Sequence, residues 1–151
     1  METVTHPAEI LRHVGTPIVV FDAALRAYAE LMAEHMYLAP GVGLAANQVG
    51  DPRALAVLDT SDGRDLRTIV NPRIVARDGK VSSNEGCLSL PGLDFVVPRA
   101  ASVVVEAQDL TGKPLRIEAT GFLAIVLQHE IDHLEGRLIL DTGKPLPKKK
   151  R

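Results

Sequence analysis

The sequence contains a single cysteine, Cys87, no tryptophan, and aromatic residues at only 3% of its 151 positions. One cysteine cannot form an internal disulfide, and a reducing, cytoplasmic setting follows most simply. The scarcity of aromatic side chains argues against a protein that binds nucleic acid by stacking on its bases.

A strong charge of either sign and long apolar runs are missing as well. The formal net charge is −2, so there is no bulk attraction to nucleic acid or to a membrane surface. No apolar run approaches the length of a membrane span, and the N-terminal segment lacks the apolar stretch of a signal peptide. With 46% apolar residues, the chain can form one domain with a core of its own.

Two segments have the pattern of helices. In the first, apolar residues recur at helical spacing after Asp22, which is the predicted N-cap. His35 falls on or beside this apolar stripe, and we interpret it as a structural histidine. The second segment, 120–135, is apolar on all sides in its first half, which predicts a buried helix. Thr120 is its predicted cap, and Gly136 is predicted to end it.

Short segments rich in β-branched residues predict strands between the helices. They are 54–58, 68–70, 95–97, 103–106 and 115–119, with a further short strand at 138–140. Prolines 52, 72, 91 and 98 are predicted to bound the strands. Residues 1–21 are interpreted as an arm lying on the domain. The fold class is α+β, with mixed or antiparallel sheets packed around a buried C-terminal helix, plus an N-terminal helix.

The second helix carries the pattern H-E-x-x-H at His129, Glu130 and His133. Two histidines four residues apart lie on one helical face, so their imidazoles can hold one metal ion. Glu130 then lies beside that metal and can act on a water molecule. Because these polar residues sit on a helix predicted to be buried, a metal site is favoured over an exposed charged helix.

A catalytic site of this kind needs a third protein ligand. The scheme with a third histidine six residues after the second fails, because position 139 is Ile139. Asp141 is a weak downstream candidate. The upstream candidates are His6, His13 and Cys87, of which a thiolate is the strongest donor for a borderline-soft metal.

Two further segments are candidates for the walls of a site. The small-residue segment 41–50 is either a tightly packed turn or a cleft wall that presents Gln48. It lacks a dinucleotide-binding fingerprint. The segment 85–92 has the composition of an ordered loop, and its Cys87, taken alone, is more often a buried apolar residue than a reactive one.

Three motifs together resemble a known family. GVGLAANQ (41–48), EGCLSLPG (85–92) and QHEIDHLEG (128–136) look like the signature motifs of peptide deformylases, in the same order. The resemblance covers residues 8 to 142 and implies a single catalytic domain over 1–142. It implies an enzyme of protein biosynthesis and N-terminal processing, which removes the formyl group from N-terminal formyl-methionine of nascent polypeptides and releases formate.

The resemblance also implies roles for individual residues. It implies Cys87, His129 and His133 as ligands of one divalent metal, natively Fe²⁺, with Zn²⁺, Ni²⁺ or Co²⁺ as occupants in a purified sample. Glu130 is the implied general base and acid, and Gln48 and the Leu88 backbone N–H are the implied oxyanion donors. The remaining implied residues bind substrate: Val42, Phe122, Ile125 and Val126 line the methionine pocket, Gly43 contacts the substrate, and Arg99 holds the substrate backbone.

The rest of the chain and two rival classes stay open at this point. Residues 143–151 are interpreted as a basic, disordered tail, for which a weak contact with nucleic acid or the ribosome is the functional alternative. Many bacterial members of the family that the chain resembles have a longer C-terminal helix there. We expect a monomer without membrane contact. An endopeptidase and a structural zinc domain built on Cys87 are the rivals, the latter requiring a fourth protein ligand.

Overall fold

The computed structural model describes residues 1–147. Within them, the chain forms two long α-helices, one short α-helix, two 3₁₀ helices (Glu9–Arg12 and Ala46–Val49) and eight strands. The helices are α1 (Ala23–Leu38), α2 (Gly121–Leu134) and α3 (Ile139–Thr142). The strands are β1 (Gly43–Ala45), β2 (Leu55–Leu58), β3 (Arg67–Asp78), β4 (Val81–Gly86), β5 (Asp94–Arg99), β6 (Ser102–Gln108), β7 (Pro114–Thr120) and β8 (Lys144–Pro145). The predicted α+β class is confirmed.

The larger sheet has five antiparallel strands in the order β1-β2-β3-β6-β7. Strand β2 is buried along its whole length. Because side chains alternate between the faces of a strand, Leu55 and Val57 pack toward α1, and Ala56 and Leu58 pack toward α2. The two long helices therefore cover opposite faces of this end of the sheet.

Helix α2 lies in the main core of the molecule. Its residues Ala124, Leu127 and Ile131 are at most 1% exposed and pack on the five-stranded sheet. Their spacing of three and four residues places them on one helical face. Full burial of each large aliphatic side chain contributes about 1.5–3 kcal/mol, so the helix is held firmly against the sheet.

Helix α1 begins where its cap predicts. The Leu25 backbone N–H donates to Asp22 Oδ1 over 3.0 Å, which satisfies one of the free donors at the helix start. His35 pairs with the Thr3 hydroxyl, its Nε2 lying 2.7 Å from Thr3 Oγ1. Both contacts support the predicted structural roles of Asp22 and His35.

The smaller sheet positions the turn that contains Cys87. Its three antiparallel strands have the order β4-β5-β8. Phe95 and Val97 of β5 pack with Leu90 and Ile139 in a separate apolar cluster, against which Cys87 is also packed. The turn that follows β4 is thus fixed by the sheet on one side and by this cluster on the other.

The N-terminal arm lies on the domain, as the sequence predicts. The Gly15 N–H donates to the Leu134 carbonyl at the end of α2 over 2.7 Å. Asn71 receives the Ile18 N–H on its Oδ1 and donates through Nδ2 to the Ile18 carbonyl. The arm therefore contacts the C-terminal end of α2 and the central strand β3 of the larger sheet.

Four prolines were predicted to bound strands, and the prediction is wrong for two of them. Pro72 lies inside β3 and Pro98 lies inside β5. The pairing of β3 with β6 shifts register between Val70 and Arg73, so Pro72 occupies a bulge. Strand β8 pairs only with the first part of β5, so the missing N–H of Pro98 lies beyond that pairing.

Several boundaries also differ from the predictions. Residues 138–140 belong to the start of α3 rather than to a strand, and Thr120 makes no side-chain cap bond. Strands β1 and β4 were not predicted, because their sequences are rich in glycine and serine rather than in β-branched residues. In the predicted disordered tail, Lys144–Pro145 pair with β5, while residues 148–151 lie outside the described part of the chain.

Among residues 1–147, no helix combines the length and the apolar character needed to cross a lipid bilayer.

The end of α2 offers a test of the arm's packing. Gly136 has φ +77°, and an added Cβ would lie 2.5 Å from the Arg12 carbonyl oxygen. Gly63 has φ +84° with no atom within 4 Å of such a Cβ. Gly63→Ala should cost about 1–2 kcal/mol of unfolding free energy from backbone strain alone. Gly136→Ala should cost clearly more, since the arm must also move. Chemical denaturation of both variants measures the difference, and equal losses would contradict the close packing of the arm.

Candidate metal centre and active site

Helix α2 presents two histidines to the same point. His129 and His133 are one turn apart, and their Nε2 atoms lie 3.2 Å from each other. His133 is 1% exposed. Two imidazole nitrogens facing each other at this distance can share one cation between them.

Cys87 completes this group from the turn after β4. Its Sγ lies 3.3 Å from His133 Nε2, and the three donor atoms of Cys87, His129 and His133 all lie within 4.8 Å of one another. The other ligand candidates are placed differently. Asp141 pairs with Arg12 and accepts the Leu138 N–H, while His6 and His13 are exposed on the arm.

The spacing of the donor atoms fits a bound metal ion. Metal–nitrogen bonds of about 2.0–2.1 Å and metal–sulfur bonds of about 2.3 Å, at tetrahedral angles, place two nitrogens about 3.3 Å apart and nitrogen and sulfur about 3.6 Å apart. The observed distances are 3.2 Å between the Nε2 atoms of His129 and His133, and 3.3 Å between Cys87 Sγ and His133 Nε2. One thiolate and two imidazoles also form a donor set that suits borderline-soft divalent metals.

The charges around the histidines favour a cation at the same point. Burial alone would lower the pKa of His129, but Cys87, Glu85 and Glu130 outweigh it and raise that pKa to about 10. Burial and the positive charge of His129 lower the pKa of His133 well below its usual value. The surroundings therefore stabilise one positive charge between the two rings, the place that a metal ion would take.

A buried ion-pair network fixes the orientation of His129. Glu85 Oε1 lies 2.8 Å from His129 Nδ1, and Arg99 donates to both oxygens of Glu85 over 2.7 and 2.8 Å. Burial raises the pKa of Glu85, but the bonds from Arg99 and His129 prevail and lower it to about 2. With Nδ1–H donated to a carboxylate, the lone pair of His129 Nε2 points to the metal position.

Arg99 also ties α2 to the smaller sheet. Its Nη1 donates to Asp132 Oδ2 over 2.7 Å, and its side chain is only 4% exposed. The guanidinium is thus bonded to two carboxylates at once. The prediction that Arg99 holds the substrate backbone is not supported by this placement, because the side chain lies behind His129 and does not line the cleft.

Glu130 lies against the backbone of β1. Burial is the main cause that raises its pKa to about 7, and its Oε1 is buried without a hydrogen-bond partner among the described residues. A Cβ added to Gly43 would lie 2.3 Å from Glu130 Oε2, so only glycine leaves room for this carboxyl group. A carboxyl group with a pKa near neutrality can both accept and donate a proton.

A cleft of about 490 Å³ opens beside these residues. Its lining includes the predicted substrate-binding residues Val42, Gly43, Phe122, Ile125 and Val126, together with Gln48, Cys87, Leu88, His129 and Glu130. Two predicted ligands, the predicted acid–base residue and the predicted pocket residues therefore surround one opening. The third ligand, His133, is buried beside Cys87 and His129 without lining the cleft, and Arg99 does not line it either.

Gln48 is held rigidly at the edge of this cleft. Its Oε1 accepts the Ala45 N–H over 3.0 Å, and its Nε2 donates to Ser89 Oγ over 3.2 Å. The same Nε2 lies 3.6 Å from Cys87 Sγ. Because the carboxamide oxygen is already bonded, the NH₂ group is the end of Gln48 that faces the metal ligands.

Comparison with known proteins decides the family. A model of the polypeptide deformylase family matches residues 1–149. This chain belongs to the polypeptide deformylase family. It is therefore a hydrolase, and the reaction is removal of the N-terminal formyl group from nascent polypeptides.

Individual deformylases resemble the chain over most of its length. The peptide deformylase of Chromobacterium violaceum is 50% identical over 137 residues, which cover 90% of this chain and 82% of that protein. The one from Desulfosudis oleivorans is 48% identical, covering 97% and 87%.

Solved deformylase structures share the fold. The crystal structure of a peptide deformylase from Legionella pneumophila has a TM-score of 0.90 and 44% identity, covering 93% of this chain and 84% of that one. The Thermotoga maritima structure has a TM-score of 0.90 and 36% identity, covering 93% and 95%.

Two buried polar residues of the deformylase site were not predicted. Asn47 Nδ2 donates to the His133 carbonyl over 2.7 Å, and Ser89, which is fully buried, bonds to Gln48. Both lie inside motifs that the sequence singled out. Residue type alone does not separate them from turn residues, since Asn and Ser are common in turns for local reasons.

The network behind His129 makes a testable contribution to metal binding. Glu85→Gln keeps the shape of the side chain but removes its charge. We expect the metal to bind about 10–100-fold more weakly, because a neutral partner makes His129 a poorer donor. Competition with a chelator measures the dissociation constant. Glu118→Gln, at an exposed position on β7, is the matched control. Unchanged affinity in folded Glu85→Gln protein would rule out this role.

Proposed function

We propose that this chain removes the formyl group with one divalent metal ion held by Cys87, His129 and His133, and with Glu130 as its acid–base residue. The observation that supports this most strongly is the convergence of three metal-donor atoms, with Cys87, His129 and the carboxyl group of Glu130 on the wall of a single cleft. The products are formate and a polypeptide with a free N-terminal amine.

Fe²⁺ is the native metal that we propose, with Zn²⁺, Ni²⁺ or Co²⁺ as replacements in purified protein. A divalent ion supplies Lewis acidity, which acidifies water and polarises the formyl carbonyl. The proposal is supported by the donor set, one thiolate and two imidazoles, whose preferences include iron, zinc, nickel and cobalt. Three protein ligands leave a position open for reaction, as in catalytic rather than structural sites.

Glu130 moves the proton in this proposal. Its carboxylate accepts a proton from the attacking water, and the carboxylic acid then donates it to the amine that leaves as the formamide C–N bond breaks. The raised pKa of Glu130 supports both steps, because the two protonation states are then close in free energy at neutral pH. Gly43 allows this carboxyl group to lie directly against the cleft wall.

Gln48 and the Leu88 backbone N–H stabilise the charge that develops on the formyl oxygen. The orientation of Gln48 supports this role, because Ala45 fixes its carbonyl end and leaves the NH₂ group toward the ligands. Donors that are already oriented need little reorganisation as charge develops, and one such donor is typically worth about 2.7–4 kcal/mol in the transition state.

The methionine side chain occupies the apolar part of the cleft. Val42, Gly43, Phe122, Ile125 and Val126 line it, and Ile125 and Val126 lie about one helical turn before His129. Val42 and Phe122 are partly exposed, at 44% and 54%. An unbranched apolar side chain entering there would cover surface that is otherwise in contact with water.

The remaining parts of the proposal concern the setting of the enzyme. We propose that it acts as a monomer in the cytoplasm on the formyl-methionyl end of nascent chains. The single cysteine, needed as a thiolate ligand, supports a reducing compartment. The basic residues at 148–151 lie outside the described residues, and contact with the ribosome through them stays a proposal based on their charge.

A formate-release assay tests the activity and its specificity. We expect the metal-loaded protein to release formate from formyl-Met peptides and to leave unblocked peptides intact. Mass spectrometry of the products distinguishes this reaction from endopeptidase activity. Internal cleavage without formate release would overturn the proposed function.

Replacing Glu130 by glutamine separates metal binding from catalysis. Glu130→Gln should keep one metal ion per chain, because the three ligands are untouched. Its kcat should fall by about 10²–10⁴-fold, since the amide cannot transfer the proton. Elemental analysis and steady-state kinetics are the two measurements. Near-normal turnover in the metal-loaded variant would show that Glu130 is not the acid–base residue.

Gly43 and Gly41 form a matched pair on the same cleft wall. A Cβ at Gly43 meets Glu130, whereas a Cβ at Gly41 lies 3.0 Å from the end of the flexible Leu88 side chain. We expect Gly43→Ala to lower kcat by about 100-fold, because it displaces the carboxyl group from its working position. Gly41→Ala should change kcat far less. Equal effects of the two substitutions on kcat would contradict the importance of this contact.

A further inference from the structure

The N-terminal residues of the chain connect the two turns that flank the metal ligands. The Val4 N–H donates to the Gln48 carbonyl over 2.6 Å, and the His6 N–H donates to the Ser89 carbonyl over 2.9 Å. Residues 3–6, here called the N-terminal strap, therefore bond to the Gln48 turn and to the Cys87–Leu90 turn at the same time.

The two residues that the strap holds are also bonded to each other. Gln48 Nε2 donates to Ser89 Oγ over 3.2 Å. The Val4–Gln48, Gln48–Ser89 and His6–Ser89 hydrogen bonds thus connect the strap and these two residues in a closed ring. Gln48 is 2% exposed and Ser89 is fully buried, so the bonds between them are shielded from water.

Both ends of the strap are anchored elsewhere in the domain. On one side, the Thr3 hydroxyl pairs with His35 Nε2 of α1 over 2.7 Å. On the other, Leu11 is fully buried, and the Gly15 N–H bonds to the last residue of α2. The strap is therefore held between α1 and the C-terminal end of the metal-binding helix.

We propose that the N-terminal strap positions the oxyanion donors of the active site. This inference rests on the proposed roles of Gln48 and Leu88. Gln48 lies in a 3₁₀ helix of only four residues, Ala46–Val49, whose own hydrogen bonds are few and of poorer geometry than those of an α-helix. The strap supplies an external restraint on this turn. Misplacement of a reacting group by about 1 Å can cost about 100-fold in rate, so a restraint of this kind affects catalysis without touching substrate.

Val4→Pro removes the N–H that bonds to Gln48 and leaves every cleft residue unchanged. We expect kcat for a formyl-Met peptide to fall by about tenfold while KM and metal content stay the same, because neither the methionine pocket nor the ligands change. Glu2→Pro is the matched control, since the structure records no hydrogen bond from the Glu2 backbone among the described residues. Equal kcat in the two proline variants would overturn the proposal.

A double-substitution cycle tests whether the strap acts through Gln48. In a Gln48→Ala background, Val4→Pro should change kcat by no more than about twofold, because the side chain that it positions is already absent. A tenfold loss in both backgrounds would show that the strap acts by another route, and the proposal would be wrong.

Amide hydrogen exchange provides a readout that does not depend on turnover. In the metal-loaded protein, Val4→Pro should speed exchange in segments 44–50 and 86–90, whereas Glu2→Pro should not. If Val4→Pro does not fold, Thr3→Val, which removes the anchor to His35, should give a smaller change in the same segments. Absence of any change would overturn the strap's role. Failure of the wild-type protein to release formate would instead count against the proposed function, and the exchange result would still decide whether the strap restrains the two turns.

Discussion

Burial of polar side chains on helix α2 is the constraint that shapes this molecule. His133 and Glu130 are 1% and 3% exposed on a helix that otherwise packs into an apolar core. Ionised groups taken out of water cost several kcal/mol each unless partners compensate them. Glu85 compensates His129 from behind and is itself paired with Arg99, and in the proposed metal site a cation held by the two imidazoles and Cys87 would compensate the rest. The uncompensated polar groups that would destabilise the core by themselves are thus the groups proposed to hold the divalent metal.

The compensating groups come from segments that are far apart in the sequence. Arg99 joins β4, β5 and α2 by bonding to Glu85 and Asp132 at once. Asn47 bonds the Gln48 turn to the carbonyl of His133. Because each of these contacts links two elements that carry site residues, the geometry of the metal ligands and that of the proposed oxyanion donors depend on each other. A substitution at one such contact is therefore expected to affect both.

Sequence predictions succeeded where the interaction is local in the chain, and they failed where it joins segments that only the fold brings together. H-E-x-x-H could be read as a metal pair because helical periodicity alone places both histidines on one face. The three motifs, taken together, identified the family and so indicated Cys87 and Gln48. The placement of Arg99 was missed because an arginine in a motif can bond to substrate or to buried carboxylates, and only the fold shows which carboxylates are near. The prolines at 72 and 98 were misjudged because a bulge and a short neighbouring strand made room for them.

The sequence by itself determined the class of fold, the family and the residue types that do the chemistry. Local spacing fixes which side chains share a helical face. The three motifs, through their resemblance to one family, supply the family and the residue types of the site. Only the tertiary structure decided which partner orients each of these groups: Glu85 for His129, Ser89 and Ala45 for Gln48, and the backbone of Gly43 for Glu130. These partners lie on other strands and turns, and the contacts exist only because sheet register and helix packing bring those elements within hydrogen-bond distance.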